Sequence, residues 1–522
     1  MSRRSKQIDA FFQQGERLHA AGRLREAEQI YRQILTADPK HADTNHMLGV
    51  LALQAGHADA ALQLLDIAIA LKPLSSAFHL HRAHALLALG RAAEAIPACK
   101  AALRTQSRNA EAYQVLGHAY TDTVEPAEAL RAYREAVRLN PDLPDLFNNL
   151  GTALRNLGWL EEAEQRLLEA ARRAPGDIGV RLNLSSVLKE LGKLPDAEVL
   201  LREALRAQPA DPALHYNMAL LLLLMGRDAE AWPFWEQRFA ARAIPSRGLR
   251  QPQWDGSPLA GRTLLVHAEQ GLGDTLQFCR YLPGLAAAGG KVVFEAPPRL
   301  SRLLSTLPGA PPMVATGGTL PPFDLVCPLM SIPARTGVPI PAEVPYLAAE
   351  PDRVARWRDR LGTDGYKVGI AWQGNPGRIE DRGRSIPLRE FAPLAAIPGV
   401  RLISLQKNEG TEQLEDGPAV ETLGPDFDSG PDGFLDTAAA MMAVDLVVTS
   451  DTSIAHLAGA LGRPVWVALR KVPDWRWLME RTDSPWYPRM RLFRQTARDE
   501  WGPVFAAMAA EVAARSGQHN PR

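Results

Sequence analysis

Cysteine is scarce in this chain. Its 522 residues hold only Cys99, Cys279 and Cys327, with no Cys-x-x-Cys pair. That argues against a disulfide framework and a cysteine zinc site, and makes a reducing compartment the expectation. An excess of charge is also lacking, with 59 lysines and arginines against 59 aspartates and glutamates. Zero net charge argues against a nucleic-acid binder driven by phosphate attraction and against an acidic disordered chain. Long apolar runs are missing too. The longest, Met218 to Met225, is far short of the ~20 residues a membrane-spanning helix needs. The opening Met-Ser-Arg-Arg-Ser-Lys-Gln has no apolar signal core, so the expectation is a cytoplasmic protein. At roughly 100–200 residues per domain, the length predicts two to four domains.

What is present is a period of 34 residues. Alanine recurs at Ala27, Ala61, Ala95, Ala129, Ala163, Ala197 and Ala231. Glycine recurs in phase at Gly22, Gly56, Gly90, Gly158, Gly192 and Gly226, with Val124 breaking the series. Proline follows at Pro39, Pro73, Pro141, Pro175 and Pro209. A fourth phase is small throughout: Gly15, Gly49, Ala83, Gly117, Gly151, Ser185 and Ala219. This predicts a helix–turn–helix unit. The glycine ends the first helix in a left-handed conformation, the small residues let helices approach, and the proline stops the second helix. Each unit exposes an apolar face that only its neighbour covers, so the units stack into a solenoid.

The pattern resembles the tetratricopeptide repeat over residues 8–241, in about seven copies. The resemblance implies a scaffold that holds a peptide or protein. Asn149, Asn183 and Asn217 share one first-helix phase in the last three units. Either they form an amide ladder for an extended peptide backbone, or asparagine is simply tolerated on a solvated helix face. The ladder resembles the asparagine ladder of the O-linked N-acetylglucosamine transferases. Trp232, Phe234 and Trp235 of the last unit are placed to pack on whatever follows.

The period stops near Ala241, and residues 242–261 read as a linker rich in proline. Short apolar runs then alternate with helical stretches, which predicts parallel sheets wrapped by helices. Strands are predicted at Thr263–His267, Lys291–Glu295 and Phe323–Cys327. A second set is predicted at Lys367–Trp372, Val400–Leu405, Asp445–Thr449 and Pro464–Ala468. A helix is predicted through about Ala288 and another over Pro298–Leu307. The simplest account is two Rossmann-like lobes, 262–348 and 366–522, joined by 349–365, the second ending in a helix.

Ligands bind beyond the carboxyl ends of such strands. One loop there is His267-Ala-Glu-Gln-Gly271-Leu-Gly273-Asp274. Its glycines allow close backbone approach, and Asp274 is either functional or an N-cap. The other is Asp451-Thr452-Ser453-Ile-Ala-His456, between an apolar strand and a helix rich in small residues. It is either a phosphate site at a helix start or a set of caps.

Residues 262–495 resemble the family 9 glycosyltransferases of the heptosyltransferase type, with the GT-B fold. The matching segments are Gly273-Asp274-Thr-Leu-Gln-Phe and Asp451-Thr452-Ser453-Ile-Ala-His456-Leu457. The family's basic loop ends in Lys-x-Trp-Pro. Here Arg384-Ser-Ile-Pro387 follows Trp372-Gln373-Gly-Asn-Pro376. The segments Asp474-Trp-Arg-Trp477 and Asp483-Ser-Pro-Trp-Tyr-Pro488 resemble the ending of tetratricopeptide proteins that carry this transferase-like domain.

The resemblance implies inverting sugar transfer from a nucleotide-diphosphate sugar, with no essential metal and no further cofactor. No Asp-x-Asp pair stands at a strand end in either lobe. Asp274 matches the family's catalytic base, with Glu269 as the alternative. The expected donor-binding residues are Gly271, Gly273, Gln373, Arg384, Asp451, Thr452, Ser453 and His456. Arg382, Lys407 and Trp372 are secondary candidates. Asn149, Asn183, Asn217 and His267 are expected to contact the acceptor, a polypeptide. Flagellins are one acceptor class for this architecture, and no residue here selects them. The competing expectations are a lipid-linked or polysaccharide acceptor, and a non-catalytic scaffold with a degenerate transferase domain.

Overall fold

The computed structural model describes residues 3–245, 247–287, 291–377 and 381–517. It divides into two compact units, Met1–Leu200 and Leu201–Arg522. The first unit is all helix, in pairs: α1 (Arg3–Ala20) with α2 (Leu24–Ala37), α3 (Ala42–Gln54) with α4 (Ala58–Leu71), α5 (Ser76–Ala88) with α6 (Ala92–Thr105), α7 (Ala110–Asp122) with α8 (Pro126–Leu139), and α9 (Leu146–Asn156) with α10 (Leu160–Arg173), followed by α11 (Ile178–Glu190) and α12 (Leu194–Ala207). The division falls inside α12.

The physical reasons for the 34-residue period are visible in the pairs. The seven alanines of the series are between 0% and 1% exposed. A β-carbon on Gly117 would sit 2.5 Å from the Tyr133 ring, and one on Gly151 would sit 2.6 Å from Leu167. A side chain there would push the pair apart, so these positions are small. The glycines that end the first helices have φ between 70° and 80°. Val124 takes the same left-handed conformation, at φ 61°. The repeat geometry imposes that turn even where the residue resists it.

The second unit opens with the last helix pair, α13 (Pro212–Leu224) and α14 (Asp228–Trp235). It continues into β1 (Thr263–His267), α15 (Leu272–Phe278), α16 (Leu282–Ala287), β2 (Lys291–Ala296), α17 (Ser301–Leu304), β3 (Met313–Ala315), β4 (Leu325–Pro328) and α18 (Ile332–Thr336). These four strands form one parallel sheet in the order β3-β2-β1-β4. Ala288, where the sequence ends a helix, lies outside the described residues. The helix expected over Pro298–Leu307 is shorter, a 3-10 turn followed by α17. The stretch read as a linker is tied down: Trp254 donates its N–H to the Val326 carbonyl at 2.8 Å, and Val326 donates to the Pro252 carbonyl at 3.1 Å.

The interlobe segment contains a helix, α19 (Pro351–Leu361). Then follow β5 (Tyr366–Ala371), α20 (Ala392–Ala395), β6 (Val400–Ser404), α21 (Leu435–Met441), β7 (Leu446–Ser450), α22 (Ser453–Ala460), β8 (Val465–Leu469), β9 (Met490–Arg494) and α23 (Gly502–Ser516). The second sheet is also parallel, ordered β6-β5-β7-β8-β9. Its strand order makes β5 and β7 the topological switch point, where an open α/β sheet leaves a crevice. The central strands β5, β7 and β8 are buried on both faces, as a sheet covered by helices requires. The core of this lobe gathers Val368, Ile370, Trp372, Val448, Trp466 and Phe505.

Candidate functional site

The carboxyl end of β1 leads through Gln270, at φ 59°, to Gly271, the N-cap of α15. The Asp274 carboxylate reaches back, and its Oδ2 accepts the Gly271 N–H at 2.7 Å. The capping role is therefore real, but it uses one oxygen only. The other, Oδ1, is ion-paired with Arg476. Burial pushes the Asp274 carboxyl up, while Arg476 and the Gly271 N–H pull it down; burial prevails.

The carboxyl end of β7 leads to Asp451, Thr452 and α22. Thr452 is the N-cap, yet its side chain makes no capping hydrogen bond. Its hydroxyl lies 3.4 Å from that of Thr449. Arg384 donates Nε to the Asp451 carbonyl at 3.1 Å and lies 3.3 Å from its carboxylate. The Arg384 guanidinium is held further into its charged form, chiefly by Asp451. The Ser450 hydroxyl is buried without a partner.

The two loops meet. A β-carbon on Gly273 would stand 3.0 Å from His456 Cδ2 and 3.4 Å from Ser453 Cα. Glycine at 273 thus sets the closest approach of α15 to α22. His456 shares Nδ1 with the Tyr487 hydroxyl at 3.0 Å and stacks on Trp477. Burial drives its pKa down to about 3, so it is a neutral ring at neutral pH.

The turn that carries Arg476 touches both loops, with Trp477 stacked on His456 and Arg476 paired with Asp274. It is a 3-10 turn, Trp475–Trp477. Besides Asp274, Arg476 binds Gln277 Oε1 through Nε at 2.6 Å and Asp474 through Nη1 at 2.8 Å. Trp475 lies against the guanidinium, 4.3 Å from ring centre to carbon. The same ring neighbours Trp232 and Trp235 of the last helix pair, at 6.1 and 6.2 Å. The aromatic residues of the last repeat therefore pack on the turn that carries Arg476.

Glu269, the alternative base, is held in a buried ion pair. Arg238, fully buried, donates Nε and Nη2 to its two oxygens, each at 2.8 Å. The Met330 N–H donates to Glu269 Oε1 at 2.9 Å. These bonds anchor the end of the last repeat to the first sheet. His267 is buried at the end of β1, with Nδ1 3.2 Å from the Ala268 carbonyl. Gln373 is turned into a neighbouring loop, where its Oε1 accepts from Gln413 at 2.8 Å. Trp372 is a core residue with its indole N–H on the Gly410 carbonyl, and Lys407 is occupied by the Phe427 and Asp428 carbonyls. Among the asparagines, Asn149 contacts His118 at 2.7 Å and Asn183 donates to Asn148 at 2.9 Å. Asn217 donates to the Ala213 carbonyl at 2.9 Å. One amide hydrogen of Asn149 and one of Asn183 are thus spent on links between successive helix pairs.

Sequence reasoning missed Arg476, Asp474 and Arg238. A usable signal was present for the first two. An arginine enclosed in Asp474-Trp-Arg-Trp477 is surrounded by residues that bury, and a buried guanidinium requires carboxylate partners.

Sequence profiles of the tetratricopeptide repeat match residues 18–85, 127–158, 144–177 and 182–246. The N-terminal part is thus a tetratricopeptide-repeat array, a protein-interaction scaffold, joined to a parallel-sheet α/β region. Protein FlbA of Caulobacter vibrioides is 27% identical over 317 residues, covering 55% of this chain and 53% of that protein. The chain spans about half the length of this curated relative. Solved structures with some likeness include pilF of Pseudomonas aeruginosa (19% identity, TM-score 0.38, 42% of this chain and 99% of that one). Another is a thermophilic tetratricopeptide protein of Thermus thermophilus (23% identity, TM-score 0.30, 35% and 98%). Among the described residues, no helix is long and apolar enough to cross a membrane.

Proposed function

We propose that the α/β region is an inverting, nucleotide-sugar-dependent glycosyltransferase of the GT-B type, and that the repeats hold its acceptor, a polypeptide. The observation that carries this reading is the meeting of two strand-end loops from two parallel sheets, Gly273 against Ser453 and His456. A carboxylate, Asp274, and a cation, Arg384, stand at the two loops. In the reaction, the acceptor oxygen bonds to the anomeric carbon. The bond from that carbon to the diphosphate breaks, leaving its electron pair on the diphosphate. Asp274 takes the acceptor proton, helped by the burial that raises its pKa. Arg384, with the hydroxyls of Thr452 and Ser453, receives the charge that grows on the leaving group. The neutral His456 ring packs beside them. All three cysteines are free and buried, which suits the reducing cytoplasm where nucleotide sugars would be met.

A non-catalytic scaffold is the second reading. It is favoured by the pairing of both arginines with carboxylates, Arg384 with Asp451 and Arg476 with Asp274 and Asp474. Titrating the full chain with a panel of nucleotide sugars, and following its melting temperature, separates the two. A rise with one donor supports the transferase. No rise with any of them supports the scaffold.

A further inference from the structure

Arg476 is the strongest unassigned group in the α/β unit. All three guanidinium nitrogens are in use: Nε on Gln277, Nη1 on Asp474 and Nη2 on Asp274. These partners differ in how firmly they hold. Asp474 lies two residues away, and its carboxylate also accepts the Arg476 backbone N–H at 3.1 Å. It is a fixed anchor. Asp274 comes from 202 residues away, on α15, and keeps 19% of its side chain exposed, against 8% for Arg476. Asp474 is more open, at 29%, so what sets Asp274 apart is its place on a separate element, with no bond to the Arg476 backbone.

We propose that Arg476 is a displaceable latch. Without donor it holds Asp274; when a nucleotide sugar binds, its Nη2 moves to the diphosphate oxygens and Asp274 is released to act as base. This rests on the transferase reading above. Three features argue for it. A guanidinium fork matches phosphate oxygens, and a diphosphate carries more charge than the one carboxylate it replaces. Asp474 and the Trp475 ring keep the arginine in place during the exchange. Gln277 is fully buried with its Nε2 lacking any partner, although its Oε1 already binds Arg476. A buried donor left unmade is unfavourable, and a phosphate oxygen arriving beside Arg476 would satisfy it. The latch also explains how a base can be neutralised by an arginine at rest and still serve in turnover. It keeps Asp274 paired until a leaving group is present.

The test uses competition, and inorganic pyrophosphate is the probe. If Asp274 and a diphosphate compete for one guanidinium, removing the carboxylate charge frees the site. Asp274→Asn in the full chain should then bind pyrophosphate more tightly than wild type, by about tenfold, the worth of one charge-assisted hydrogen bond. Arg476→Gln should bind it at least tenfold more weakly, and Arg476→Lys should recover part of that loss. A purely structural ion pair, away from any anion site, gives no reason for Asp274→Asn to bind more tightly. Calorimetry reads all three, with circular dichroism checking that each variant folds. Should Arg476→Gln fail to fold, the Asp274→Asn comparison alone decides. If wild type binds pyrophosphate and Asp274→Asn binds no more tightly, or Arg476→Gln binds equally well, the latch is refuted and the phosphate site survives. If wild type itself does not bind pyrophosphate, both the latch and the diphosphate site are overturned.

Discussion

Glu269→Gln removes one charge from a buried ion pair that fastens the last repeat to the first sheet. Arg238 has 0% and Glu269 3% of its side chain exposed. Breaking a buried pair by removing one partner destabilises by roughly 3–5 kcal/mol, because an uncompensated charge stays inside. Two features place this case at the lower end. Arg238 keeps Glu236 as a second carboxylate at 3.1 Å. A glutamine oxygen can still accept the Met330 N–H. The expected loss is therefore about 3 kcal/mol. With a urea dependence of about 3 kcal/mol per molar, the unfolding midpoint should fall by about 1 M. Tryptophan fluorescence suits the measurement, since ten of the eleven tryptophans lie beyond Leu201 and only Trp159 lies before it. An unchanged midpoint would refute the anchor. If donor turnover were lost at the same time, Glu269 would return as the base.

Two further outcomes follow from single residues. Val124→Gly should stabilise the repeat unit by about 0.5–1 kcal/mol, raising the helical melting transition in circular dichroism. Valine in a left-handed conformation is disfavoured by about 1–2 kcal/mol, and glycine's freedom in the unfolded chain offsets part of the gain; an unchanged or lower melting temperature would count against it. His456 gives the α/β unit a pH dependence of known sign. Its folded pKa is about 3, below the ordinary value of about 6.5. As pH falls through that window the unfolded chain binds a proton that the folded chain refuses, so stability drops, by about 1.4 kcal/mol at pH 5.5. His456→Gln should flatten the change in urea midpoint between about pH 7 and 5.5, leaving the share of His267, whose pKa burial also lowers. An equally steep dependence in the variant would contradict the assignment.

The repeat architecture was legible because its signals are local and periodic. Ala27 and its six counterparts mark helix contacts, and Gly22 and its counterparts mark turns, each within one 34-residue unit. Most strands of the α/β unit were legible from their apolar runs, to within a few residues at their ends. Two were not. β3 has three residues beside Pro311 and Pro312, and β9 interleaves Arg491 and Arg494 with Leu492 and Phe493, so neither shows a continuous apolar run. At the candidate site, sequence singled out Asp274, Gly273, Ser453 and His456, which the fold brings together. It could not show their partners. The Asp274–Arg476 and Glu269–Arg238 pairs are made by chain folding across 202 and 31 residues. No local pattern encodes such a pairing. Trp372 illustrates the converse error: a large residue at a strand end looked available to a ligand, yet it fills the core of the second lobe.

The strand-end loop at Thr452 and Ser453 is proposed to receive the diphosphate of a nucleotide sugar. Its most direct test is calorimetric titration of the donor that most stabilises the wild-type chain, repeated on the variant carrying Thr452→Val and Ser453→Ala. Both side chains are only half-buried, and Thr452 makes no capping hydrogen bond, so the substitutions should spare the fold. Donor affinity should fall by about ten- to a hundredfold, the worth of one lost charge-assisted hydrogen bond. Equal affinity in the two proteins would contradict it.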